Sequence, residues 1–340
     1  MFQGIDLIAV LLGWIIIGIV SLFAINFTRG KKLLLWIVWE FSGLRFIWEK
    51  IFPPRTMHKR PPVTFIFWLL GAYLTLFGWA SLKYELTVAK IEKRTNIVFL
   101  QLSSPAYKKA LGRIPDLQHL PCPPEPRLLK PATVYFSLTQ TEKHLQMVHL
   151  LIETVEDWKR SLDAVELKRA YLPYARLWDA DLQEANLKNA NLYHAQLWDA
   201  NLQDVIAWDA NFENANLKDA DLRGADLRGA NLKNANLKNA NLKDADLRNT
   251  CLVMADLRNA NLENTDLREA SLHQANLAGA VLKDSRLWNA DLGQANLQGA
   301  TDIQPESLAK AQDLYQAQLD PKIKTRLQKI SPHLLQGPNQ

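Results

Sequence analysis

Between Val165 and Gly299 the chain repeats every five residues. The stretch "ADLRGADLRGANLKNANLKNANLKDADLRN", Ala220 to Asn249, is typical: Ala recurs at each fifth place and Leu follows it by two. Cut from Val165, the region gives 27 quintets. The first position is Ala in 22 of them, with Val165, Val205, Thr250, Thr265 and Ser285 as the exceptions, and the third is Leu or Phe in 26, with Ala207 as the exception. An α-helix cannot use this pattern, because five residues advance about 500° and the Leu stripe would rotate by about 140° per repeat. A straight strand cannot use it either, because a step of five is odd and changes the side each time. The period is satisfied only if the chain turns a corner within every quintet, so that all the Ala and Leu side chains enter one central column.

The fifth position fits a corner. It is Gly, Asn or Asp in 19 of 27 quintets, including Gly224, Gly229, Asn234 and Asn239, and these residues tolerate the dihedrals that turns demand. Four corners close a coil of twenty residues. Stacked with β-type hydrogen bonds at about 4.8 Å, 27 quintets make a rod roughly 32 Å long. "ADLRGADLRGANLKNANLKN" resembles the pentapeptide repeat family, whose consensus is A(D/N)LXX. The resemblance covers about 135 residues, some 40% of the chain, and implies a right-handed quadrilateral β-helix with the Ala and Leu positions inside.

The remainder is different in kind. Residues 1–164 carry 20 Lys+Arg against 12 Asp+Glu, a surplus of +8, whereas residues 165–300 carry 15 against 19, or −4. Two stretches, Leu7–Phe27 and Val63–Leu82, contain no charge, and each is long enough as a helix to span a hydrocarbon core of about 30 Å. The loop between them holds eight Lys/Arg: Arg29, Lys31, Lys32, Arg45, Lys50, Arg55, Lys59 and Arg60. Basic short loops stay cytoplasmic, so the loop is expected inside and the repeats on the non-cytoplasmic side of a bacterial inner or thylakoid-type membrane. Within the loop, Leu33–Phe52 mixes Trp36, Trp39 and Trp48 with charges, which suits a helix in the headgroup layer beside Lys31 and Lys32, or a third, poorly formed membrane segment.

The expected fold is therefore a mainly β repeat with two N-terminal transmembrane α-helices and flanking capping helices. The expected divisions are a membrane hairpin, 1–82; a helical linker and N-terminal cap, 83–164; the repeats, 165–300; and a C-terminal cap and tail, 301–340. "KYELTVAKIEKRTNIVFLQL" should extend the second membrane helix, "SSPAYKKALGRI" reads as a short helix, and "LPCPPEPRLLKP" is too Pro-rich to be regular. "TQTEKHLQMVHLLIETVEDWKRSL" is amphipathic, with Leu145, Val148, Leu151, Ile152 and Val155 near one face, and should cover the first coil, because an open β end invites aggregation. After Ala300 the register breaks. Pro305 can open a short helix, "YQAQLDP" resembles one last quintet with Ala317 and Leu319 inward, and Asp320 can cap a helix begun by Pro321.

Function is less legible. Cys122 and Cys251 are the two cysteines and no CxxC or HExxH motif occurs. His144 and His149 share no helical face, and His194 and His273 read as single outward residues of the rod. No nucleophile–base pair, phosphate loop or metal cluster stands out, so neither an enzyme nor a cofactor is expected. Outward residues recur every twenty positions. One face reads Lys168, Lys188, Trp208, Arg228, Arg248, Arg268, Trp288, and the opposite face reads Trp178, Trp198, Lys218, Lys238, Arg258. Trp178, Trp198, Trp208, Arg228, Arg248, Arg268 and Trp288 form the candidate partner surface; the bland alternative is a soluble coat in which these cations alternate with Asp221, Asp226 and Asp246. The leading expectation is a membrane-anchored scaffold that binds a protein near the lipid bilayer, with self-association possible where Gly71 and Gly78 let helices approach. The family resemblance adds a DNA-mimic reading directed at gyrase. Mimicry needs a strongly acidic rod, and −4 over 27 quintets disfavours nucleic-acid mimicry and nucleic-acid partners. An accessory subunit of a membrane transporter or channel is the remaining alternative, although neither uncharged stretch offers an ion ligand.

Overall fold

The computed structural model describes residues 63–143 and 145–336. The stretch Leu7–Phe27 and the loop with Lys31, Lys32, Trp36, Trp39 and Trp48 lie outside the described residues. The chain divides into two compact units, one containing residues 63–85 and 123–140 and the other residues 86–122 and 141–336 of the described part.

The repeats of the second unit coil as their period demands. Each coil pairs in parallel with the next, residue i with i+20, from Glu166 with Asn186 to Val281 with Thr301. Four quintets thus make one turn of a four-sided β-helix. All 27 fifth positions have positive φ. Gly224 at 66° and Gly229 at 68° adopt this without steric cost, whereas Arg169 at 65°, Tyr174 at 61° and Met254 at 58° carry a Cβ there, at about 1–2 kcal/mol each.

The second position closes the corner. It is Asp or Asn in 18 of 27 quintets, and in each of these the side-chain oxygen accepts the backbone N–H two residues on, as Asn186 does from Lys188 (3.1 Å) and Asp291 from Gly293 (2.9 Å). This is an Asx turn, and it explains the D/N preference that outward exposure alone leaves unaccounted for.

The column of Ala and Leu is dry; no Leu at a third position from Leu167 to Leu297 exceeds 2% exposure. Where hydroxyls replace Ala they bond inward: Thr250 to the Leu227 carbonyl (3.0 Å), Thr265 to Leu242 (2.8 Å) and Ser285 to Leu282 (2.9 Å). The Ala207 exception does not shift register, since Ile206 stays on the outside, paired with Asn186 and Asp226, and Ala207 is fully buried. In the same coil Val205 replaces Ala and Phe212 replaces Leu, both fully buried, so two larger residues fill the space one smaller residue leaves.

Both ends are closed. Helix α1 (Val63–Leu102) continues past the predicted membrane stretch as expected, followed by α2 (Tyr107–Leu111) in the segment expected to be a short helix and by α3 (Ile114–Gln118), which was not expected. Pro121–Cys122 (β1) pairs antiparallel with Glu142–Lys143 (β2), correcting the irregular reading of that Pro-rich segment. Helix α4 (Pro131–Thr139) intervenes, so the amphipathic helix α5 spans only Leu145–Asp157. It buries Val148, Leu151, Ile152 and Val155 against the first coil but leaves Leu145, its first residue, exposed. Three backbone N–H groups on the open edge of that coil find partners in this cap. Gln118 is buried, and its amide both accepts the Tyr171 N–H (2.7 Å) and donates to the Tyr171 carbonyl (2.9 Å). Glu156 accepts the Arg176 N–H (2.7 Å), and the Lys159 carbonyl accepts that of Asp181 (2.7 Å). At the other end Asp313 pairs with Asp291 and Gln318 with Asn296, and Leu314 and Leu319 are buried. Pro305 opens α6 (Pro305–Leu308) and Pro321 opens α7 (Pro321–Ile330). The Asp320 side chain does not cap α7; it accepts the Gly299 N–H (3.2 Å).

In the first unit, Lys83 donates to the Ser137 and Leu138 carbonyls (3.1 and 2.9 Å) at the C-terminal end of α4, where a cation is favoured. Among the described residues no helix is long and apolar enough to cross a membrane.

Replacing Gln118 by Leu removes both of its hydrogen bonds to the Tyr171 backbone under the cap; the expected loss, read by urea unfolding, is about 2–4 kcal/mol. Ala207→Leu alone overpacks its coil and Phe212→Leu alone leaves a void, each costing about 1–3 kcal/mol. The triple variant Val205→Ala, Ala207→Leu, Phe212→Leu restores the consensus and should lie within about 1.5 kcal/mol of the parent.

Candidate functional site

Because coils stack in register, each outward side chain has its neighbours twenty residues away, in its own column. The column of Trp208 shows the consequence. Lys188 Nζ lies 4.5 Å from the Trp208 ring centroid on one side and the Arg228 guanidinium 4.1 Å on the other, so both ring faces are covered. On the opposite face Trp178 and Trp198 stack, with centroids 6.0 Å apart and planes 6° from parallel. Lys159 covers the other side of Trp178 at 3.7 Å. Trp198 is 36% exposed and Trp288 is 53% exposed. Trp288 makes no ring contact with the described residues. It borders a groove of about 130 Å³ with Arg248, Asn249, Arg268 and Glu269.

The arginines expected to form a basic ladder are already engaged. Arg228, Arg248 and Arg268 each grip the Asp two residues back through two guanidinium nitrogens: Arg228 holds Asp226 (2.7 Å), Arg248 holds Asp246 (2.6 Å) and Arg268 holds Asp266 (2.6 Å). Arg223 and Arg258 do the same with Asp221 and Asp256 on other faces. Contacts also run up the column, Arg228 to Asp246 at 3.6 Å and Arg248 to Asp266 at 3.8 Å. The face is a zipper of alternating charge, with little positive potential to offer a polyanion. The zipper ends at Arg286. This residue occupies a second position, where Asp226, Asp246 and Asp266 stand in the coils below, and it reaches Asp266 only at 3.7 Å. The last coil of this face therefore presents Arg286 and Trp288 together, both more than half exposed.

Burial pushes the Asp266 carboxyl up, but hydrogen bonds from Arg268 and the charges of Arg268 and Arg248 outweigh it and hold the group below the usual carboxylate range. Asp221 and Asp226 follow the same balance. For Asp226 the indole of Trp208 contributes to the lowering, although the buried indole N–H lies outside hydrogen-bond geometry.

Sequence reasoning missed a second cluster. Tyr174 and His194, stacked at 5.1 Å, meet Tyr193 edge-on, so His194 is not a solitary residue. The signal was present: six of the seven outward aromatic residues of the rod, Tyr171, Tyr174, Trp178, Tyr193, Trp198 and Trp208, fall before residue 209. His273 lies 3.7 Å from Asp291. Among the described residues no group of His, Cys, Asp or Glu has a metal-binding arrangement.

Sequence period and coil geometry define the class as a four-sided β-helix built from pentapeptides. The family model for pentapeptide repeats matches residues 161–199, 195–234, 225–264 and 260–299, and the chain belongs to the pentapeptide repeat family. It is 31% identical to HetL of the cyanobacterium Nostoc sp. strain PCC 7120, a pentapeptide repeat protein involved in heterocyst differentiation regulation, over 50% of this chain and 93% of that one, with a TM-score of 0.31. It is 26% identical to a pentapeptide repeat protein of the Arabidopsis thaliana thylakoid lumen, over 38% and 78%, with a TM-score of 0.19. It is 18% identical to QnrB1, a plasmid-mediated fluoroquinolone resistance protein, over 47% and 81%, with a TM-score of 0.36. No curated protein matches the chain.

The zipper sets an acid limit on the rod. Asp221, Asp226, Asp256 and Asp266 have folded values below the unfolded value, so the stability they add is present above about pH 4 and is lost as pH falls through the lowered folded values. The thermal midpoint followed by circular dichroism should be flat from about pH 7 to pH 5 and fall below about pH 4. Asp266→Asn should make that fall shallower.

Proposed function

We propose that this protein is a non-enzymatic interaction rod, held at a bilayer by its N-terminal region, that docks a protein partner on the Arg286–Trp288 end of its zipper face. The observation that carries the reading is the contrast between Trp208 and Trp288. The first is sandwiched between Lys188 and Arg228; the second stands at the same column position, 53% exposed, with no ring partner among the described residues. Exposed Trp beside Arg is the composition of binding hot spots, and solubility gives no reason for it. Arg286 adds a cation that the zipper only loosely uses, so the partner surface should pair an apolar side chain with a carboxylate.

Anchorage rests on the two uncharged stretches, Leu7–Phe27 and Val63–Leu82, and on the basic loop between them. The loop charge favours a cytoplasmic hairpin with the rod on the opposite side. The DNA-mimic reading has no support from the surface: the rod is near neutral, and its Arg-paired carboxylates do not present the uncompensated charge that phosphate imitation requires.

Crosslinking in intact cells, followed by membrane fractionation, tests both parts. The full chain should sediment with membranes and form a discrete crosslinked product. Trp288→Ala should lose that product while the rod's melting temperature stays unchanged. Trp208→Ala should keep the product but melt lower. A product indifferent to Trp288 overturns the docking face, and recovery of the chain in the soluble fraction overturns the anchor.

A further inference from the structure

A groove of about 520 Å³ runs where the N-terminal cap meets the corner between the rod's first two faces, lined by His119, Arg169, Ala170, Tyr171, Asn189 and Asn191. No carboxylate lines it. The side chains of Arg169, Tyr171, Asn189 and Asn191 can each donate a hydrogen bond, and Arg169 carries a permanent positive charge. From this composition we propose that the groove is a binding site for a small organic oxyanion, a phosphate monoester or a carboxylate, gripped by the Arg169 guanidinium. The site is separate from the Arg286–Trp288 surface, and its test is independent of that reading.

The argument begins with why Arg169 is unpaired. Elsewhere on the rod an Arg at a fourth position grips the Asp two residues back, as in the Arg223, Arg228, Arg248, Arg258 and Arg268 pairs. Arg169 stands instead at a fifth position, where the residue two back is the buried Leu167. The next residue up its column is Asn189, which is neutral. Glu166, the acid closest to it in sequence, takes the side-chain amide of Asn186 (2.9 Å). The Arg169 side chain therefore has no ion pair or hydrogen bond among the described residues, while its backbone is fixed by the N–H bond to the Lys188 carbonyl (2.8 Å).

The walls are held independently of any ligand. Gln118 clamps the Tyr171 backbone on both sides. Asn191 Oδ1 accepts the Tyr193 N–H (3.0 Å), which leaves its amide nitrogen as the donor. His119 Nδ1 bonds the Pro115 carbonyl (2.7 Å); a carbonyl only accepts, so Nδ1 carries hydrogen and the ring orientation is set. The volume exceeds that of an inorganic ion and lies in the range of small-molecule sites. The Tyr171 and His119 rings can pack against an organic body while the guanidinium fork takes the oxygens.

Arg169 also sits at a corner with φ of 65°, a conformation that Asn adopts more readily than Arg. The chain thus keeps an Arg where Asn, the residue at 189 in the same column, would suit the backbone better. This separates binding from folding. Arg169→Asn should melt at the same temperature as the parent or higher, yet bind oxyanions about tenfold or more weakly, as expected for loss of a bidentate charged contact.

The experiment is calorimetric titration of the full chain, in detergent, with phenyl phosphate, benzoate and inorganic phosphate. Saturable binding is expected for one or both aromatic anions and weaker binding for inorganic phosphate; the tighter aromatic probe identifies the preferred headgroup. Asn189→Asp, which places a carboxylate beside Arg169 in a residue type already accepted at the same column position by Asp209, should abolish binding without unfolding the rod. Arg258→Asn, on another face, should leave it unchanged. No saturable binding of either aromatic anion, or equal binding by Arg169→Asn or Asn189→Asp, overturns the proposal.

Discussion

Everything in this rod depends on a corner made once every five residues. The fifth residue takes positive φ, and the second, when Asp or Asn, folds its side-chain oxygen back onto the N–H of the fourth. The two devices act on one bend from opposite sides: one supplies the dihedral, the other satisfies a donor that the bend exposes. Only with the bend in place can an odd repeat bring every Ala and Leu to the same side. The core is then a stack, and burial of about 2 kcal/mol per Leu accrues coil by coil. The bend tolerates Arg169, Tyr174 and Met254 because neighbouring coils over-determine it through the i to i+20 bridges.

The same geometry governs the surface. A side chain's chemical environment is written in its column, so charge counts along the sequence mislead. Lys188, Trp208 and Arg228 look like a cation–aromatic–cation docking strip when read as a face. Stacked in register, they consume one another, ring face against charge. The Arg and Asp pairs do likewise. What remains available are positions whose column mate is of the wrong kind or out of the five-residue register: Trp288, above which Lys310 follows only after the register breaks; Arg286, standing where an Asp is the rule; and Arg169, whose mate is Asn189. Column-breaking residues, rather than the most charged stretches, are therefore where the proposed surfaces are placed.

The period made the coil, the corners and the interior legible from sequence, including the odd quintet at Ala207, because these rest on interactions within twenty residues of regular chain. What joins distant segments was not legible. Nothing local marks Gln118 as the residue that imitates a neighbouring coil for Tyr171, 53 residues away. Leu145 fits the helical stripe yet lies outside, since the first turn of α5 extends beyond the coil it covers. Asp320 stands where a helix cap should, but Gly299 at the rod's edge claims its carboxylate. The role of Trp178 and Trp198 needed the column register, which the sequence contains but which outward position alone does not reveal. Of the expected membrane hairpin, the first stretch and the loop lie outside the described residues, and the second stretch lies within α1.

The column logic also explains why family membership alone does not transfer a role. A rod that imitates a polyanion must hold carboxylates unpaired at regular spacing, so that their fields add over a Debye length of about 8 Å. Here the second-position acids are committed twice, first to the Asx turn and then, for Asp221, Asp226, Asp246, Asp256 and Asp266, to an Arg two residues on. The corner bond needs only a side-chain oxygen, which Asn supplies equally well; Asp is required only by the Arg that follows. In these five quintets Asp and Arg therefore form one unit of local neutralisation. Nine acids stand at corners outside the scheme, Asp179, Glu184, Asp199, Asp204, Asp209, Asp219, Asp244, Glu269 and Asp284; the longest run in one column, Asp179, Asp199 and Asp219, stops at Asn239, so no continuous field extends along the rod. The fold is common to the family; the surface it displays is decided by which residue follows each Asp.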